Sequence, residues 1–176
     1  MTTPDGIARP LAGVAGSRAA SPRDPDAFEA AVRPYYANLV RRLVVVLRDE
    51  DDAEDVAQEA YLRAFRSWER FSGGDVRAWL YTIALRLAFN QRRRRRRWLA
   101  ALSRVEPETW RDTADPDLWA ALGRLEPRTR TALLLNAVDG YTQREIGTIL
   151  GVPEGTVASW LSRARATLRR ELDPGR

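Results

Sequence analysis

The chain has 176 residues, 44% of them hydrophobic, which is enough to fill one modest domain or two small ones. It contains neither cysteine nor histidine, which excludes disulfides, thiol redox chemistry, zinc fingers and every histidine general base, so any catalysis would rest on carboxylates alone. The net charge is +5, the isoelectric point is near 10.3 and all 29 basic residues are arginine; clustered arginine is the electrostatic footprint of a nucleic-acid binder, although composition by itself does not separate DNA from RNA or an acidic membrane.

Residues 1–24 are rich in Pro, Gly, Ala and Ser without periodic apolar positions and read as a flexible arm. That arm lacks the apolar stretch of a signal peptide, and the longest aliphatic run, Leu43 to Leu47, is far below the roughly 20 residues that span a bilayer. A cytoplasmic protein without a membrane partner is expected. Asp24 and Pro25 form a cap and first-turn proline for a helix carrying Phe28, Val32, Leu39, Leu43 and Val46, which Pro34 is expected to kink or divide. An acidic stretch, Asp49 to Asp55, opens a second amphipathic helix through Val56, Ala60, Leu62, Ala64, Phe65 and Trp68. Ser72-Gly73-Gly74 ends it, and Asp75 caps a third helix with Val76, Trp79, Leu80, Ile83, Ala84 and Leu87 that terminates in six arginines, Arg92 to Arg97. Residues 99–115 lose the period, gain acidic residues and read as a flexible linker between domains 25–98 and 116–172.

In the second domain Asp115-Pro116 repeats the cap-plus-proline signal, with Leu118, Ala121, Leu122 and Leu125 behind it; Pro127 opens a further helix ended by Asp139-Gly140. Thr142 and Glu145 form a capping box before Ile146, Ile149 and Leu150, Gly147 permits a close crossing, and Gly151 makes a tight turn into a helix with a buried stripe of Val157, Leu161, Ala164 and Leu168. This is a helix-turn-helix. Its last helix turns Glu154, Thr156, Ser159, Trp160 and Arg163 outward, where a major groove could receive them. No segment alternates like a strand, so the fold class is all-α, with two small helical domains.

The order of these parts resembles the extracytoplasmic-function (ECF) sigma factors. YTQREIGTILGVPEGTVASWLSRAR, residues 141–165, is similar to their fourth region, which contacts the minus-thirty-five element. DAEDVAQEAYLRAFRSWERF, residues 52–71, resembles the part of the second region that grips the polymerase, and RAWLYTIALRLAFNQRRRRRR, residues 77–97, the part that melts and reads the minus-ten element. The resemblance implies a promoter-directing protein whose partners are core RNA polymerase, promoter DNA and an anti-sigma factor. It puts polymerase contact on Asp55, Gln58, Glu59 and Leu62. Strand opening asks for aromatic surface beside cations, which Trp79, Tyr81, Phe89 and the arginine run supply; the minus-ten surface is expected at Tyr81, Arg86, Asn90, Arg92, Arg93 and Arg94, with most of the aromatics in the core. Arg86 stands where the family commonly has asparagine, Asn90 where aspartate is frequent, and Ala158 and Trp160 where the recognition helix is usually basic, so promoter preference does not transfer.

Two other readings compete. A stand-alone helix-turn-helix regulator would bind an operator without polymerase and would not need the acidic helix. A magnesium-dependent enzyme could use Asp49, Asp51, Asp52, Asp55 and Glu59 as oxygen ligands, but no phosphate loop follows a strand and no nucleophile or base stands out. No enzyme activity, cofactor, metal or small-molecule substrate is therefore expected.

Overall fold

A computed structural model describes residues 24–101 and 115–172; the expected arm up to residue 23 and the expected linker over 102–114 lie outside the described residues. The described residues form seven α-helices and one short 3-10 turn, with no β-strand. α1 (Pro25–Leu47), α2 (Glu50–Ser67) and α3 (Val76–Ala101) make one three-helix unit, and α4 (Pro116–Gly123), α5 (Pro127–Ala137), α6 (Gln143–Leu150) and α7 (Glu154–Leu172) make the other.

Local signals set most helix ends. Asp24 accepts from the Asp26 and Ala27 amides, Asp75 from Ala78, and Asp115 from Leu118. The Thr142–Glu145 capping box is complete, and Gly151 closes α6 at φ 66°, the left-handed region that glycine enters without Cβ strain. A Cβ on Gly147 would stand 2.8 Å from the Val152 carbonyl, so the turn into α7 needs glycine there for close approach.

Pro34 does not divide α1, which continues from Pro25 to Leu47. An interior proline costs about 3 kcal/mol of helix propensity. Four fully buried side chains of the same helix, Phe28, Val32, Leu39 and Leu43, each contribute about 1.5–3 kcal/mol by leaving water. Both Pro34 and Ala30 are exposed, so the carbonyl that loses its donor meets solvent.

The two units share one core. α5 packs on α1 and α6 on α3, with Leu134 and Leu135 set against Leu39, Leu43 and Leu85. Every residue of α5 from Thr129 to Leu135 is buried, the pattern of a helix enclosed on all sides.

Candidate nucleic-acid interface

α7 is held by its apolar stripe: Val157, Leu161 and Ala164 are fully buried, while Glu154, Ser159 and Arg163 are exposed and Thr156 and Trp160 half-buried. Residues 156, 159, 160 and 163 recur at helical spacing and share one face. Glu154 pairs with Arg144 of α6 at 3.7 Å. The Ser159 hydroxyl donates back to the Gly155 carbonyl at 3.0 Å, so its oxygen keeps acceptor capacity toward the outside. The face carries one arginine that can meet a guanine edge and several short polar groups that suit base or phosphate.

The arginine run divides. Arg86, Asn90, Arg93, Arg94 and Arg97 are exposed along one side of α3 and form a cationic stripe. Arg92 is half-buried. Arg95 turns inward, pairing with Asp49 at 3.4 Å and closely with Asp52, whose other carboxylate oxygen accepts from Gln91 at 2.7 Å. This bolt joins the end of α3 to the start of α2. Burial raises the Asp52 pKa from its ordinary value, with Arg95 opposing and Asp49 adding to the rise. Two of the acids considered as magnesium ligands thus face an arginine, and among the described residues no group of acids is arranged to hold a metal ion.

Tyr81 is not on that stripe. It is 1% exposed, its ring meets Tyr141 edge-on at 6.4 Å, and its hydroxyl donates to Asp139 at 3.4 Å. Five residues from Arg86, it points about 140° away around the helix. The expectation of a DNA-facing aromatic at this position is therefore not met in this conformation, because the loop after α5 covers it. The spacing of Tyr81 with the buried Ala84, Leu85 and Ala88 carried that signal. Trp79 joins an aromatic cluster with Trp68 and Phe71, and Phe89 lies under the Arg128 guanidinium at 5.0 Å.

On α2, residues 55, 58, 59 and 62 form a ridge between two grooves. Asp55 and Glu59 face the arginine-lined cleft toward α3; Gln58 and Leu62 face an apolar groove shared with Tyr36 and Tyr61 of α1 and α2. Glu59 is bound by Arg63 one turn on, at 2.6 Å. Leu62 and Phe65 are 47% and 43% exposed, large apolar side chains left in water on an otherwise charged surface.

Sequence reasoning did not single out Arg42, Arg77 and Arg130, which tie the two units together. Arg42 forms a two-pronged pair with Asp139 at 3.0 and 3.3 Å. Arg77 donates to the Tyr141 hydroxyl at 2.8 Å and to the Asp139 carbonyl at 3.0 Å. Arg130, 1% exposed, sits in the middle of the buried α5, which was the one available signal for it.

A sigma-70 region 2 family model matches residues 30–98 and a sigma-70, region 4 model matches residues 116–168. Among curated relatives, the ECF RNA polymerase sigma factor SigM of Mycobacterium tuberculosis is 34% identical over 155 residues, covering 85% of this chain and 79% of its own. SigE of Mycolicibacterium smegmatis is 32% identical over 166 residues, 88% of this chain; this chain spans 63% of that longer protein. In structure the chain is similar to the sigma factor RpoE of Bartonella quintana, co-crystallised with the anti-sigma factor NepR, at a TM-score of 0.74 and 25% identity over 86% of this chain and 99% of that one. CnrH in complex with the cytosolic domain of CnrY is similar at a TM-score of 0.65 and 25% identity, over 87% and 92% of the two chains. Among the described residues no helix is long and apolar enough to cross a membrane.

Proposed function

The chain belongs to the ECF group of the sigma-70 family, and we propose that it works as a sigma factor: it binds core RNA polymerase and directs initiation at promoters. The observation that carries this reading is the pairing, within one unit, of a cationic stripe on α3 with an acidic and apolar ridge on α2. DNA phosphates repel that ridge, so a solitary DNA binder gains nothing from it, whereas a second macromolecule that presents cations and apolar surface does.

The division of labour follows the surfaces. Asp55, Gln58, Glu59 and Leu62 hold the polymerase. Glu154, Thr156, Ser159, Trp160 and Arg163 meet the minus-thirty-five element. Arg86, Asn90, Arg93 and Arg94, with Arg92 at the margin, hold the minus-ten strand by its backbone, and Tyr81 joins them only after it is uncovered. The units 25–98 and 116–172 are the two functional domains and 99–115 the connection between them. The work is binding and strand separation in the cytoplasm, with no covalent step, cofactor or metal. An anti-sigma factor is the third partner, as in the complex of RpoE with NepR.

The test is transcription in vitro by sigma-free core polymerase on a promoter library, with and without the protein. Protein-dependent initiation at a shared two-part motif is expected. Tight operator binding without polymerase, and no initiation with it, would point instead to a stand-alone regulator. Glu59→Arg should lower polymerase binding, read by co-purification with core enzyme, and leave the DNA affinity of the isolated protein unchanged.

A further inference from the structure

Two arginines have no place in the surfaces described so far. Arg96 lies off the cationic stripe, about 120° around α3 from Asn90 but only about 20° from Phe89. Arg128 stands in the first turn of α5. Helical spacing puts Phe89, Arg92, Arg93, Arg96 and Arg97 on one side of α3, at i, i+3, i+4, i+7 and i+8, and that side faces the start of α5 across a cleft of about 570 Å³. The volume falls within the range of about 300–1,000 Å³ that small-molecule sites occupy.

The cleft gathers five arginines and one carboxylate. That carboxylate, Glu126, is the N-cap of α5, and its Oε2 already accepts from the Arg128 and Thr129 amides at 3.0 and 3.2 Å. Among the described residues no acid forms an ion pair with Arg96, Arg97 or Arg128. The Arg128 guanidinium lies 5.0 Å over the Phe89 ring, which holds it against α3 instead of out in water. Like charges gathered from two elements repel, and a multiply charged anion between them removes that cost.

We infer that this cleft is a site for a small, free polyphosphate: an anion of two or more linked phosphate groups, alone or carried on a nucleoside. Guanidinium suits phosphate because its planar fork of N–H donors meets two oxygens at once. Arg92 and Arg96, like Arg93 and Arg97, are one turn and about 6 Å apart along the axis, so a chain of phosphates can meet both turns while the Arg128 fork closes on it from α5. The plane of Arg128 turned away from Phe89 is a stacking surface for a base. A DNA strand that follows Arg86, Asn90 and Arg94 runs about 120° around α3 from Arg96, so the stripe accounts for neither Arg96 nor Arg128.

Isothermal titration calorimetry of the full chain with inorganic tripolyphosphate, at constant ionic strength and without divalent metal, tests the site. One saturable site per chain is expected, with orthophosphate weaker by about tenfold or more. Arg96→Gln, at an exposed position, and Arg128→Gln should each weaken tripolyphosphate binding by about tenfold or more. Arg66→Gln, which removes the same charge from an exposed position on α2, should change it by less than about twofold. Adenosine triphosphate binding more tightly than tripolyphosphate would identify a nucleoside as the carrier; equal or weaker binding would identify the bare phosphate chain. Heats that never saturate, or equal losses in all three variants, reduce the effect to counterions on a basic surface and overturn the site. A loss in Arg96→Gln without one in Arg128→Gln overturns it as well, because the anion would then lie along α3 alone. A single-stranded oligonucleotide titrated into the same variants supplies the last arm. If its affinity falls in Arg96→Gln and Arg128→Gln as far as that of tripolyphosphate, the cleft belongs to the strand-binding surface and the free-anion site is overturned.

Discussion

α3 presents a cationic stripe to solvent and α7 a polar face with one arginine, and the two are held by different physics. α7 is fixed by apolar burial of Val157, Leu161 and Ala164 against α4, α5 and α6, and its turn by the capped end of α6. The arginine stripe of α3 is fixed at its far end by an ion pair, Arg95 between Asp49 and Asp52. Buried carbon carries no charge to titrate or screen; an ion pair at a partly wet helix end is sensitive to both pH and ionic strength. The comparison teaches that a recognition surface can be rigid by default in one unit and conditional in the other.

The largest expected effect breaks the α7 side. Leu161→Ala leaves a cavity where the side chain is 1% exposed and should destabilise the second unit by about 2–5 kcal/mol, read as the shift of its thermal or urea transition. Next, Arg163→Ala removes an exposed side chain, so stability should hold while discrimination at the minus-thirty-five element falls by about 1–3 kcal/mol, measured by competition between promoter variants in the polymerase complex. A result that moved stability instead would place Arg163 in the packing.

The covered face of α3 should respond to alkali. Burial and the neighbouring Asp139 push the Tyr81 pKa from 10.0 up to about 12, while Arg42 and Arg77 oppose the rise. The folded form therefore holds this proton more tightly than the unfolded chain. Its contribution is complete below pH 10 and is lost as pH climbs from 10 to about 12. Tyrosinate absorbance tracked with the interunit distance tests this, and Tyr81→Phe should flatten the response.

The smallest effect sharpens the α3 side. The Asp52 pKa is raised, so the folded form binds its proton more tightly than the unfolded chain and stability declines as pH rises from the ordinary 3.8 through the raised value. Asp52→Asn should erase that slope and alter stability at neutral pH by less than about 1 kcal/mol, since such pairs fix geometry more than they stabilise.

How much of this was legible from the residues depends on range. Caps and stops are conversations between residues two to four apart, and Asp24, Asp75, Asp115, the Thr142–Glu145 box and Gly151 all act where the chain reads that they should. The outward face of α7 follows from a 3.6-residue period and needs no knowledge of the rest. The aromatic character of Tyr81 suggests a base platform, whereas its spacing places it with the buried Ala84, Leu85 and Ala88, and only the fold shows it covered. Pro34 leaves one helix or two open from the sequence, because a local penalty of about 3 kcal/mol is decided by burial farther along the helix, and α1 is one helix.

By itself, then, the sequence determined an all-helical chain, most helix caps, the helix-turn-helix and the sigma-70 family pattern, since each of these arises from neighbours along the chain or from motifs of a few dozen residues. Tertiary structure alone decided that Arg95 is a bolt, that Arg130 completes a helix 84 and 85 residues away, and that Asp139 covers Tyr81 from 58 residues on. An arginine carries the same side chain whether it meets phosphate, carboxylate or a helix-end carbonyl. Which of these it meets is set by what the fold brings within about 3 Å, the range over which a charged hydrogen bond forms.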